Sequence, residues 1–146
     1  MGFGSTRLRI LAIAAIAGMT LSLPAQAQSA MDDAWQSVLR RWVGDGWKPF
    51  HEAGYNFATS SGGKSWGAGL RAGAPVAFAA VCSDCTGVQM ILRDGARNIV
   101  ATANVQQGST SLLYTPPVSS AGSIELIPVG CRKPACPVRY TSFTRR

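Results

Sequence analysis

Histidine occurs once, at position 51, and the seven acidic residues are dispersed along the chain. A lone histidine leaves acid–base and triad catalysis without its usual base. No serine sits in a Gly-x-Ser-x-Gly elbow, and His51-Glu52 lacks the second histidine of a metalloprotease helix. Carboxylates paired in space leave no mark in sequence, so a hydrolase with dispersed carboxylates stands as a distant third class. Low-complexity tails and internal repeats are missing as well.

No apolar run reaches the length of about 20 residues that crosses a bilayer core. The longest, Ile10 to Leu23, is preceded by Arg7 and Arg9 and followed by Pro24 and Ala25-Gln26-Ala27. That order is an export signal with an A-x-A site, and cleavage is expected after Ala27. No cysteine follows where lipid attachment would need one. The expected organisation is a signal peptide at 1–27, a helix and aromatic-rich loop at 28–63, and a β-sandwich at 64–146, in the periplasm or secreted, with no stable membrane insertion after cleavage.

Of the 14 basic residues, Arg7 and Arg9 lie in the signal, leaving 12 against 7 acidic ones and a net charge of +5. Such a balance favours anionic partners. The basic residues are spread out, however, with doublets only at Arg40-Arg41, Arg132-Lys133 and Arg145-Arg146. A nucleic-acid partner, which favours a basic stripe interleaved with aromatics, is not expected.

Residues 31–43 carry Trp35, Val38, Leu39 and Trp42 on one helical face. Asp32 and Asp33 suit a first turn, Arg40 and Arg41 a last one, and Gly44 and Gly46 a stop. From Gly44 to Gly63 the pattern is that of a loop with scattered aromatics. Beyond Lys64, short apolar and β-branched runs alternate with turn residues. Strands are expected at 65–71, 76–82, 88–93, 99–105, 111–115, 123–129 and 138–143. Seven strands at that spacing predict a mainly β, jelly-roll-like antiparallel β-sandwich with one short N-terminal helix covering an edge or an open end. The run Pro75–Val81 is apolar on both faces, as in a strand buried on both sides.

Four cysteines in an exported chain predict two disulfides in one of three connectivities. Cys82 with Cys85 and Cys131 with Cys136 sit at expected hairpin ends, where facing Cα atoms are about 4.5–5.5 Å apart. Crossed pairs would constrain the unfolded chain more, by about 4 against about 2 kcal/mol per bridge. Geometry favours the local pairs. A redox role for Cys82-x-x-Cys85 would want a helix N-terminus, and a strand-like run follows instead. A zinc site fits the cysteine count, but export oxidises thiols, so no metal or cofactor is expected.

Residues 58–65, ATSSGGKS, match a relaxed phosphate-loop pattern, yet Trp66-Gly67-Ala68-Gly69 is a poor helix start. The aromatic-rich segment offers a candidate binding surface at Trp47, Phe50, Tyr55 and Trp66; satellite core under a loop is the commoner use of such residues. The basic loop Arg132-Lys133-Pro134-Ala135 offers an alternative, a rigid inhibitory loop aimed at a lysozyme or protease.

Over roughly residues 65–146 the order of features resembles the bacterial pre-peptidase C-terminal type of β-sandwich domain. Leu70-Arg71-Ala72-Gly73, Val76–Val81, Cys82-Ser83-Asp84-Cys85, Val88–Leu92, Asp94-Gly95, Thr115-Pro116-Pro117 and Cys131 to Cys136 carry the resemblance. It implies an accessory binding module that is not catalytic. The missing catalytic constellation and the aromatic-rich segment Trp42 to Phe57 with Trp66 lead to the expectation that the module meets a protein or polysaccharide surface of the cell envelope. Where such domains place calcium-binding acids, this chain has Gly87-Val88-Gln89-Met90, leaving only Asp84 and Asp94. Calcium takes six to eight oxygens, so the family's metal site is not carried over.

Overall fold

The computed structural model describes residues 25–50, 54–58, 62–104 and 107–145, with side chains from residue 30 onward except at 54–58. Residues 1–24 of the expected signal and His51 lie outside the described residues. The elements are α1 (Ala25–Gly44), β1 (Lys48–Pro49), β2 (Gly54–Ala58), β3 (Lys64–Leu70), β4 (Val76–Cys82), β5 (Gly87–Arg93), β6 (Ile99–Ala103), β7 (Ser109–Tyr114), β8 (Ser120–Val129) and β9 (Cys136–Thr144).

All seven expected strands are present. Two more, β1 and β2, occupy the stretch expected to be loop. β1 is only Lys48-Pro49, and β2 sets Tyr55 and Phe57 among Gly54 and Asn56; they form an edge, each pairing with a different part of β9, β1 at Phe143–Thr144 and β2 at Cys136–Tyr140. Backbone bonding to a well-formed neighbour, rather than intrinsic preference, holds them extended.

One sheet places β9 between the β1/β2 edge and β4, with β7 beyond; the other runs β3, β8, β5, β6. All pairings are antiparallel. The β5–β6 hairpin is nested inside pairs β4–β7, β3–β8 and β2–β9, which is jelly-roll order. The only hairpin connecting neighbouring strands of one sheet among β2–β9 is therefore β5–β6. The turns at Cys82–Cys85 and Cys131–Cys136 were expected to end hairpins; they instead carry the chain between sheets, from β4 to β5 and from β8 to β9.

The inner faces of both sheets bury Leu70, Phe78, Val88, Met90, Leu92, Ile124, Leu126 and Val138 in one core. Thr110 on β7 donates its hydroxyl to the Val88 carbonyl on β5 at 2.6 Å, a buried bond from sheet to sheet.

The helix covers neither an edge nor an open end. It lies on the outer face of the first sheet, where Met31, Trp35, Val38, Leu39 and Trp42 meet Ala77, Ala79, Val81 and Phe143. Alternate residues of β4 thus face either the sandwich core or the helix, and all seven are buried. Burying a large aromatic such as Trp35 here removes apolar surface worth a few kcal/mol, at about 25 cal/mol per Å². Arg139 on β9 fixes the helix's position, with its guanidinium 2.7 Å from Asp32 and 5.4 Å from the centre of the Trp35 ring.

The helix begins six residues before the expected start, because the Ala-rich stretch 25–30 favours it as strongly as it favours a cleavage site. Asp32 and Asp33 consequently fall outside the first turn, while Arg41 is in the last. The C-terminus is a Schellman motif: Trp47 N–H donates to Trp42 O and Gly46 N–H to Val43 O, both at 3.0 Å. Gly46 supplies the left-handed φ of 82° that the motif requires. Trp42 and Trp47 complete it with an edge-on ring contact at 5.3 Å.

Candidate functional site

Strand alternation decides which aromatics reach the space between the sheets. Along the edge strand β3, Trp66, Ala68 and Leu70 point inward and Gly67 and Gly69 outward. On β9, Cys136, Val138 and Tyr140 point inward, while Arg139 and Phe143 turn to the helix. Trp66 and Tyr140, from opposite sheets, meet at the open side of the sandwich. Their ring centres are 3.7 Å apart and their planes tilted by 35°.

Beside this pair lies a cleft of about 230 Å³. Phe78 and Ile124 supply apolar surface, and Gly67, Thr141 and Ser142 complete the lining with Trp66 and Tyr140. A ligand pocket for a whole drug-sized molecule is about 300–1,000 Å³, so this cleft fits a single ring or side chain of something larger. Burial raises the Tyr140 hydroxyl above its usual range, keeping it protonated and able to donate.

The four expected surface aromatics separate. Trp66 lines the cleft. Phe50 is 62% exposed, and its N–H donates to Ser142 O, placing it beside the same segment of β9. Trp47 is only 6% exposed and belongs to the core under the helix, so its assignment to a surface is corrected. Its place in the helix-ending motif explains the burial. Tyr55 lies on β2 opposite Arg139, and its side chain is outside the described residues. Tyr140 was not among the expected site residues. The one available signal was its position two residues after Val138 in the last strand, on the inward phase.

The two cysteine turns dock together at one end of the sandwich. Cys82 is bonded to Cys85 and Cys131 to Cys136, with Cα separations of 6.1 and 5.8 Å. Arg132 N–H donates to Asp84 O at 2.9 Å, and the Lys133 ammonium is 3.4 Å from the Asp84 carboxylate. Thus the expected pairing occurs on turns between sheets. Residues 64–70 after the Ser/Gly loop form a strand, which a phosphate loop's helix would exclude.

Asp84 and Asp94 lie at opposite ends of β5 and have separate partners. The Asp94 carboxylate accepts from Asn98 Nδ2, Asn98 N and Ala96 N. The Asn98 side chain, then these backbone N–H groups, hold its pKa below the usual carboxylate range. Among the described residues, no group of three or more His, Cys, Asp or Glu side chains is placed to hold a metal ion.

No family model matches the chain, and no curated protein matches it. Among solved structures, it is similar to the carbohydrate-binding and xylanase modules (CBM22-1 and GH10) of an endo-1,4-β-D-xylanase from Clostridium thermocellum complexed with xylohexaose. The identity is 14%, the TM-score 0.34, and the match covers 70% of this chain and 26% of that one.

Proposed function

We propose that the protein is an exported, non-catalytic binding module, with pre-peptidase C-terminal-like character, whose cleft at Trp66 and Tyr140 receives one ring of an envelope or extracellular polysaccharide. The observation carrying this reading is the pairing of a half-buried tryptophan and tyrosine over a ring-sized cleft that Ser142, on the same inward phase of β9, also lines. A sugar ring has apolar C–H faces and a polar hydroxyl edge, matching aromatic and hydroxyl-bearing walls respectively. Phe50, exposed beside Ser142, extends the apolar contact toward a neighbouring ring.

Titration calorimetry against a panel of neutral and acidic polysaccharides tests the proposal. Binding by the wild type and its loss by at least ten-fold in Trp66→Ala are expected, with folding checked by the melting temperature. No binding to any member, or equal binding by the variant, refutes the site.

The exposed residues Arg132, Lys133 and Pro134 favour a second reading, an inhibitor of a lysozyme or protease. A disulfide and two contacts to Asp84 hold their loop, lowering its ordering cost on binding. Unchanged rates across a lysozyme and protease panel would remove it.

A further inference from the structure

Four basic residues far apart in sequence are brought together in space. At the end of the sandwich opposite the disulfides, the last rungs are Leu70 with Ser120, Val76 with Thr144 and Tyr114, and Arg93 with Ile99. The turn after β3 is bonded to the turn after β7 through Gly73 N–H to Pro116 O and Ala72 N–H to Ser119 Oγ. Lys48 pairs with Thr144, and Gly46 packs near the Arg145 side chain, bringing the helix C-terminus to this end as well. Lys48, Arg71, Arg97 and Arg145 therefore converge here from four separate stretches.

All four are exposed, as is Asp45 on the helix-ending turn. The ion pairs among the described residues use Arg93, Lys133 and Arg139 instead. Asp94, the acid nearest Arg97, is turned into its own turn. Three aliphatic side chains, Val43, Ile99 and Val118, are each more than half exposed at the same end. At the opposite end the exposed apolar residue is Val129, and of the exposed Arg132 and Lys133 the lysine has a carboxylate partner.

We propose that this end docks on an anionic phospholipid bilayer, with its arginines and lysine on the phosphates and Val43, Ile99 and Val118 at the headgroup–acyl boundary. Basic charge alone would suit any polyanion. Aliphatic tips interleaved with it gain free energy only where an apolar layer lies behind the charge. A nucleic-acid strand would favour aromatic stacking platforms, and the tips here are aliphatic. The cleft at Trp66 plays no part in this contact, so the proposal stands independently of polysaccharide binding.

The test is co-sedimentation of the purified protein with vesicles of phosphatidylglycerol and, separately, phosphatidylcholine. Wild type and variants share one N-terminus, read by mass spectrometry, so differences among them report this end. Binding to phosphatidylglycerol alone, weakening with salt, is expected. Each lost basic contact weakens partition about five-fold, so R71Q with R97N should lose about 25-fold. Asn suits the left-handed φ of 67° at Arg97. If that variant melts early, R71Q with R145Q replaces it. V118D should lose about ten-fold or more, and R132Q with K133Q less than two-fold. Three results would each overturn the proposal: no binding or equal binding to both lipids, equal losses from changes at the two ends, or an unchanged V118D with duplex DNA displacing the vesicles.

Discussion

The two sheets are made of similar strands, and their outer faces have opposite fates. In the first, β4 buries all seven residues because α1 lies over its outer face. In the second, the outer face of β5 carries Gln89, Ile91 and Arg93, all partly exposed, and Arg93 reaches across it to Glu125 at 3.7 Å. A strand's apolar content therefore reports how many of its faces are covered.

The helix contact should dominate that contrast. Trp35→Ala removes the largest fully buried side chain and leaves a cavity over Val81; a loss of about 3–5 kcal/mol is expected in urea unfolding. A loss similar to that of a change on the bare sheet would break the comparison.

Replacing Cys82 and Cys85 together by alanine opens one crossing between the sheets. The loop is short, so about 2 kcal/mol is expected, read from the shift in melting temperature relative to wild type. Thr110→Val keeps the shape and deletes the buried bond between the sheets, costing about 1–3 kcal/mol if the Val88 carbonyl finds no other donor. Ile91→Thr, on the uncovered face, should stay within about 0.5 kcal/mol by the same unfolding measurement.

The smallest effect belongs to Asp94. Its pKa is depressed on folding, so its stabilisation is present above the ordinary carboxylate range and lost as the pH falls through the lowered value. The melting-temperature gap between wild type and Asp94→Ala should therefore close on acidification. A gap that widened in acid would reverse the assigned sign.

Much of the fold was legible because it rests on local chemistry. Short apolar and β-branched runs between turn residues located β3 to β9, and the doubly apolar run at β4 announced its two covered faces. The 3.6-residue spacing of Trp35, Val38, Leu39 and Trp42 located the helix, and Gly46 its end. By contrast, β1 is two residues long and β2 is broken up by Gly54 and Asn56, and both are held by their bonds to β9. The candidate site was half visible. Trp66 stood out as an aromatic among glycines, whereas Tyr140 had no reason to be joined to it before the sheets were stacked. Trp47, equally aromatic, went to the core because the helix-ending motif carried it there.

What the chain determined by itself was the helical face, the strands β3 to β9 and the local pairing of its four cysteines, since these depend on neighbours close in sequence. Only the tertiary structure decided which sheet each strand joined, that both cysteine turns cross between sheets, and which face the helix covers. It also decided that Trp66 meets Tyr140 and that four cations from separate stretches share one end. Those outcomes depend on contacts between residues tens of positions apart, where sequence spacing carries no distance and the nested order of the strands does.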